Sequence, residues 1–268
     1  MARRKVFGIC HICGIKTELT YEHIPPRSAF NNRPLLRAKF DEILKADDLD
    51  SIRGEISQHG AGAYTLCAQC NNLTGSWYGP AFIDWAFQGL ILGESAGMTP
   101  SLYRLFHIFP LRIIKQIICM FFSANGPGFQ KVHPELVRLV LNREAKYLEK
   151  DISVYAYFNR SSRSRQTGIV GVTDFSSGSV KLVSEIAYPP LGYIMTINSP
   201  PPDERLVDIS FFSQYGYDDW KDIALRFSVL PVYSPFPGDY RDRETVIKHA
   251  NKNRADYPEI VKMMKNRK

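Results

Sequence analysis

Two Cys-x-x-Cys pairs, Cys10/Cys13 and Cys67/Cys70, constrain this chain more than any other feature. Two intervening residues let a tight turn aim both thiolates of a pair at one centre, and two such pairs close a tetrahedral four-sulfur site of the kind zinc prefers. The bland alternative is a set of buried thiols. A centre with four sulfur ligands leaves no position for water, so a Zn²⁺ ion held here is structural. It fastens distant segments and supplies folding free energy that a small module's core lacks. Pairs of this kind hold metal rather than disulfides in a reducing compartment. The start of the chain agrees, because Met1-Ala2-Arg3-Arg4-Lys5 leads into Val6-Phe7-Gly8-Ile9-Cys10 with no apolar core of signal-peptide length, and we expect a cytoplasmic protein.

A net charge of +7 and a pI near 9.1 favour an acidic partner, of which nucleic acid is the commonest, although a membrane surface also suits a basic chain. The longest apolar run, Ile108 to Phe122, is broken by Pro110, carries Arg112 and Lys115, and is too short for a bilayer. It is expected to be a buried helix, with Cys119 and His107 in the core, and no membrane partner is expected.

The unusual chemistry is concentrated in residues 1–90, the expected zinc module, and residues 91–268 are expected to form an α+β domain that recognises substrate or a partner. Within the module, Ala38 to Leu49 has helical spacing, Asp50 to Ala63 is a polar stretch resembling an insertion, and Asn71 to Phe87 predicts a packed helix interrupted near Gly79-Pro80. Beyond it, apolar residues from Ser101 to Ser123 recur every three or four positions and predict a helix, and a second helix is expected after Pro134. Six β-branched and aromatic runs follow: Ile152–Phe158, Gly168–Phe175, Val180–Tyr188, Gly192–Ile197, Val207–Phe212 and Leu225–Tyr233. They predict an antiparallel sheet. Between the first two, Arg160 to Arg165 is expected to be a basic hairpin loop, either a solvated turn or a phosphate contact. Asn253–Lys268 is expected to be a surface helix or a tail.

In chain order, Cys10-x-x-Cys13, Tyr21-Glu22-His23-Ile24-Pro25 and Leu66-Cys67-x-x-Cys70-Asn71-Asn72-x-x-Gly75 resemble the HNH endonucleases. The nearest branch reads Glu-His-Ile/Val-Pro and later Cys-x-x-Cys-Asn-x-x-x-Gly, and the resemblance covers residues 8 to 80. It implies a treble-clef-like ββα-metal fold in which a hairpin and a helix hold one catalytic divalent cation, Mg²⁺ or Mn²⁺. Position by position, His23 corresponds to the general base, Glu22 to the acidic metal ligand, and Asn71 to the last family position, which also faces the metal. Glu replaces the usual Asp and Asn the usual final His. Both still offer oxygen to a hard cation. The middle position, which orients the base, has His59, Asn72, Asn31 and Asn32 as candidates. Arg27, Arg33 and Arg37 follow the motif and either grip phosphates or line a solvated loop; His11 is expected to point from its knuckle to solvent.

The resemblance further implies cleavage of DNA, a role in defence against phage or foreign DNA, and a companion such as an ATPase or sensor subunit. Two other functions fit the same residues: a non-catalytic zinc module that binds nucleic acid, and an assembly subunit that docks a partner protein.

Overall fold

A computed structural model describes residues 5–38, 51–95, 99–174, 179–249 and 251–252. A hairpin opens the chain. Strands β1 (Val6–Ile9) and β2 (Lys16–His23) pair antiparallel with Val6 opposite Leu19, and their turn carries the first cysteine pair, with Gly14 at φ 75°. Strand β5 (Gly62–Cys67) pairs with the far side of β2, giving the order β1-β2-β5. It runs straight into helix α1 (Ala68–Ser95), so Cys67 ends a strand and Cys70 lies in the first helical turn. Strands β3 (Leu35–Arg37) and β4 (Glu55–Ser57) form a small two-stranded arm between them.

The polar stretch Asp50–Ala63 is therefore more than an insertion: it supplies β4 and the start of β5. Gly62 shows why its composition is what it is. A Cβ there would lie 2.2 Å from the Glu22 carbonyl oxygen, closer than any side chain can approach. The expected helix over Ala38–Leu49, apart from Ala38, and the segment Asn253–Lys268 lie outside the described residues.

Helix α1 runs unbroken through Gly79-Pro80, contrary to the interruption expected there. An interior proline removes one backbone hydrogen bond and costs about 3 kcal/mol. Packing outweighs it. Tyr78, Ala81, Phe82 and Trp85 form a buried stripe, and the Trp85 ring packs 4.7 Å from Phe106 and 5.8 Å from both Phe212 and Phe227. Its Nε1 donates to Tyr193 Oη at 2.9 Å. Each such aromatic contributes roughly 1.5–3 kcal/mol by burial, so two or three of them exceed the cost of the proline.

The expected helix over Ser101–Ser123 is in fact a strand followed by a helix. In β6 (Ser101–Ile108), Leu102, Phe106 and Ile108 are buried while Tyr103, Leu105 and His107 are exposed, which is the period of two of a half-buried strand. His107, expected in the core, instead bonds Asp222 at 2.5 Å and stacks on Trp220. Helix α2 (Pro110–Asn125) starts with Pro110 in its first turn, where the missing N–H is harmless. It is buried on nearly every side, and fully buried Lys115 donates to the Asn142 and Arg143 carbonyls at 2.8 Å each. Burial pulls the Lys115 amine down to about 8. Short helices α3 (Phe129–Val132) and α4 (Pro134–Leu141) follow.

The remaining strands are β7 (Ile152–Asn159), β8 (Arg165–Asp174), β9 (Ser179–Tyr188), β10 (Leu191–Ile197), β11 (Val207–Asp208) and β12 (Lys221–Leu230). They build a seven-stranded sheet with β6, in the order β6-β12-β7-β10-β9-β8, with β11 beside β7. Pairing is antiparallel except where Val229 and Leu230 of β12 run parallel to Phe158 and Asn159. The run Val207–Phe212 is only briefly a strand: Ser210–Gln214 is a 3₁₀ turn. The architecture is thus α+β. No helix among the described residues is long and apolar enough to cross a membrane.

One face of the large sheet, through Val154, Ala156, Phe158 and Met195, shares a continuous core with α1, α2 and the cysteine-bearing hairpin. The other face buries Tyr157, Ile194, Leu230 and Tyr240. Here the structure corrects Arg165, which is not in a loop but opens β8 as a buried cation. Its Nε donates to Glu185 at 2.7 Å and its Nη1 to the Ser234 carbonyl at 2.6 Å. Glu185 also accepts from the Tyr157 hydroxyl at 2.7 Å, the Tyr240 hydroxyl at 3.1 Å and the Gly238 amide at 3.1 Å. Removing one partner of a buried pair strands the other charge in low dielectric, so Glu185→Gln is expected to cost about 3–5 kcal/mol. An urea melt of the variant beside the wild type measures this as a lowered midpoint at unchanged slope.

Candidate metal centre and the adjoining acid and imidazole

The knuckle around the first pair is held by backbone bonds: Gly14 N–H to the Cys10 carbonyl and Cys10 N–H to the Ile15 carbonyl, both 2.9 Å. Gly14 supplies the left-handed conformation the turn needs. On the other side, the Cys70 amide donates to Cys67 Sγ at 3.4 Å as the helix begins. The four Sγ atoms of Cys10, Cys13, Cys67 and Cys70 lie within 4.8 Å of one another, with Cys13 and Cys67 at 3.9 Å. Zinc at about 2.3 Å from each of four sulfurs sets them roughly 3.8 Å apart, so the cluster has the right size and donor chemistry for a metal such as zinc. A hydrogen bond from Cys70 draws the Cys10 thiol down to about 4, while Cys70 itself is pushed far up and burial raises Cys13. Metal ligation needs the thiolate form, so binding at four such sulfurs would release protons.

His11 does not point to solvent. Its Nδ1 meets the Phe122 carbonyl at 3.1 Å, its amide donates to the Thr65 carbonyl at 2.9 Å, and burial lowers its pKa. It ties the knuckle to α2.

Strand β2 delivers the next group. Thr20 and Glu22 face the start of α1, where the Asn71 Nδ2 donates to Thr20 Oγ1 at 2.9 Å and Asn71 also favours the ionised form of Glu22. Burial pushes Glu22 up to about 7, with Asn71 pulling the other way. Fully buried Cys119, as expected a core residue, feels the Glu22 charge from α2 and hydrogen-bonds Thr74.

His23 is the last residue of β2, and strand alternation turns it from that pair. The Tyr21 ring meets it edge-on at 5.0 Å, and Arg27 and the His59 turn lie close enough to act on its charge. Partial burial first, then the Arg27 and His59 charges, lower its pKa, so the imidazole is neutral at neutral pH. The structure thus brings Glu22 to Asn71 and His23 to His59.

The candidates for the middle position separate cleanly. His59 reaches His23 because the turn preceding β5 folds back over the end of β2, which its distance from Cys67 in sequence conceals. Asn72 and Asn32 are exposed. Asn31 is fully buried and acts as a brace: its Nδ2 donates to the Pro25 and Ala61 carbonyls and its Oδ1 accepts from the Ala61 amide, all at 2.7 Å. It pins the Ile24-Pro25-Pro26 loop to the His59 turn. Thr20 was missed, yet its signal is present, two positions before Glu22 on the same strand face. Of the arginines, Arg27 is exposed beside His23, and Arg37 donates to the Gly62 carbonyl at 2.9 Å. Arg33 lies farther away, near Tyr188.

No family model matches this chain, and no curated protein or solved structure does either.

Proposed function

We propose that the chain is a metal-dependent endonuclease of the HNH type, with nucleic acid, DNA first, as its substrate. What supports this reading is that Asn71 donates to Thr20 Oγ1 at 2.9 Å from the start of α1 and also lowers the pKa of Glu22, two residues on along the same strand. The residue immediately after a sulfur ligand thus acts on the acid immediately before the imidazole that the motif singles out. Asn71 donates to Thr20 through its NH₂ group, and its side-chain oxygen and the Glu22 carboxylate are the two oxygen donors a cation would use here. Such a donor set suits Mg²⁺ or Mn²⁺, whose role when bound is to stabilise charge on the phosphate and the leaving oxygen. His23, neutral and beside the His59 turn, takes the proton from the attacking water, and exposed Arg27 offers charge to a phosphate beside it. The four-sulfur centre holds this geometry and takes no part in the reaction.

Incubation of plasmid DNA and of RNA with a panel of divalent metals, beside His23→Ala, tests the proposal. Metal-dependent nicking by the wild type alone is the expected result. A second reading is favoured by the separation of His23 from the Glu22–Asn71 pair: a zinc module that binds nucleic acid without cleaving it. Salt-sensitive binding with no turnover in any metal would establish that reading instead. Defence against foreign DNA, with an ATPase or sensor companion, rests on the family resemblance alone.

The Glu22 carboxyl also dictates a pH dependence. Burial raises its folded pKa to about 7, from about 4.5 for a free carboxyl, so the metal-free fold gains from proton uptake there. That contribution is complete below 4.5 and is lost as pH rises through 7. A cation needs the ionised form, so Mn²⁺ affinity is expected to climb about tenfold per pH unit up to 7 and then level off. Calorimetric titration between pH 5.5 and 8 should show this slope in the wild type and its disappearance in Glu22→Gln.

A further inference from the structure

A groove of about 600 Å³ lies between the loop at residues 30–35, the last turn of α1 and the turn joining β7 to β8. Its volume is that of a site for a small organic ligand. Its aromatic and prolyl lining includes Phe30, Tyr188, Pro189 and Pro190. Arg33 and Arg160 also line the groove, and neither makes a hydrogen bond or ion pair with any described residue. Free guanidinium forks in a shared concavity are suited to a phosphate.

The turn that carries Arg160 is built in advance of any ligand. Asn159 is 1% exposed; its Oδ1 accepts from the Ser161 amide at 3.0 Å and the Ser161 hydroxyl at 2.7 Å, and its Nδ2 donates to the Arg163 carbonyl at 3.1 Å. Opposite, the Tyr188 hydroxyl donates to the Phe30 carbonyl at 3.2 Å. Phe30 itself sits at φ 68°, a left-handed conformation that a bulky residue adopts only when its surroundings impose it. At the α1 end, Glu94 adds a carboxylate able to accept from an exocyclic amine or a ribose hydroxyl.

We infer that this groove binds a nucleotide unit: its base against the aromatic and prolyl lining, its phosphate between Arg33 and Arg160. A free mononucleotide and one unit of a single strand share this chemistry. The inference stands on the groove, whether or not the chain cleaves nucleic acid.

The test uses full-length, zinc-loaded protein without other divalent ions, so cleavage plays no part. A fluorescent ribose-labelled AMP is titrated in, then competed with AMP, inorganic phosphate or a single-stranded 12-mer of DNA. AMP is expected to displace the probe where phosphate at equal concentration does not, and Arg160→Glu and Arg33→Ala are each expected to weaken binding at least tenfold with zinc content and circular dichroism unchanged. Displacement by the 12-mer identifies a strand as the source of the nucleotide; its failure beside success of AMP identifies the free nucleotide. Absence of probe binding, displacement by phosphate as effective as by AMP, or affinity untouched by Arg160→Glu would overturn the inference.

Discussion

His23→Ala is expected to lower divalent-dependent cleavage by about 10²–10⁴-fold, the usual contribution of a positioned general base, while melting within a few degrees of the wild type. The separation of the two effects follows from its surroundings. The imidazole is only half-buried, and its surroundings are an edge-on meeting with Tyr21 at 5.0 Å and the nearby His59 turn. Little apolar area is lost with it, and the neighbouring strand pairing of His23 with Gly62 uses backbone atoms that alanine retains. The wild-type rate should rise with pH on the acid side, because His23 must be neutral and the Glu22 carboxyl ionises only near 7. Initial rates on supercoiled plasmid, with thermal melts of both proteins, decide the matter. Retention of wild-type cleavage by the alanine variant would remove His23 from the chemistry.

Replacing Cys70 by serine is expected to do more damage to the fold than any other single change. Structural zinc in small sulfur sites carries an apparent binding free energy of about 10–16 kcal/mol, as large as the whole stability of an ordinary domain at about 5–15 kcal/mol. Cys10 is fully buried and Cys70 nearly so, so the loss leaves polarisable sulfurs facing a void beside the core they share with Ile12 and Leu66. Mass spectrometry of the native protein should show one zinc per chain. Cys70→Ser should lack it, and chelation of the wild type should collapse its near-ultraviolet circular dichroism. Asn71 follows Cys70 directly, so Mn²⁺ binding should vanish along with the zinc. A Cys70→Ser protein that melts like the wild type would show that the thiols are ordinary core residues.

Much of this was legible because local chemistry dictated it. The cysteine pairs announced their cluster through spacing alone, and β7, β9 and β10 lie where β-branched and aromatic residues are densest. Errors arose where tertiary context overruled local pattern. Leu105 completed an apparent helical repeat, but its side chain is exposed on a strand and the repeat was an accident of two adjoining elements. Pro80 signalled a break that the packing of Trp85 suppresses. Arg165 sat in a run of serines and arginines that looked solvated, and only its partner Glu185, on the neighbouring strand, makes its burial tolerable. At the site, Glu22, His23 and Asn71 were visible in the motif. The Asn31 brace and the reach of His59 depend on how two loops meet, which no spacing along the chain encodes.

Helix α1 has 28 residues and so a length of roughly 42 Å, long enough to bear Cys70 and Asn71 at one extremity and Gly93 and Glu94 at the other. Its start is fixed directly to the end of β5, with no loop between them. Its one missing rung lies at Pro80, near the middle, where bending is cheapest. One continuous helix thus carries Cys70 and Asn71 at its first turn and lines the groove with Gly93 and Glu94 at its last, so the two candidate sites share a single element.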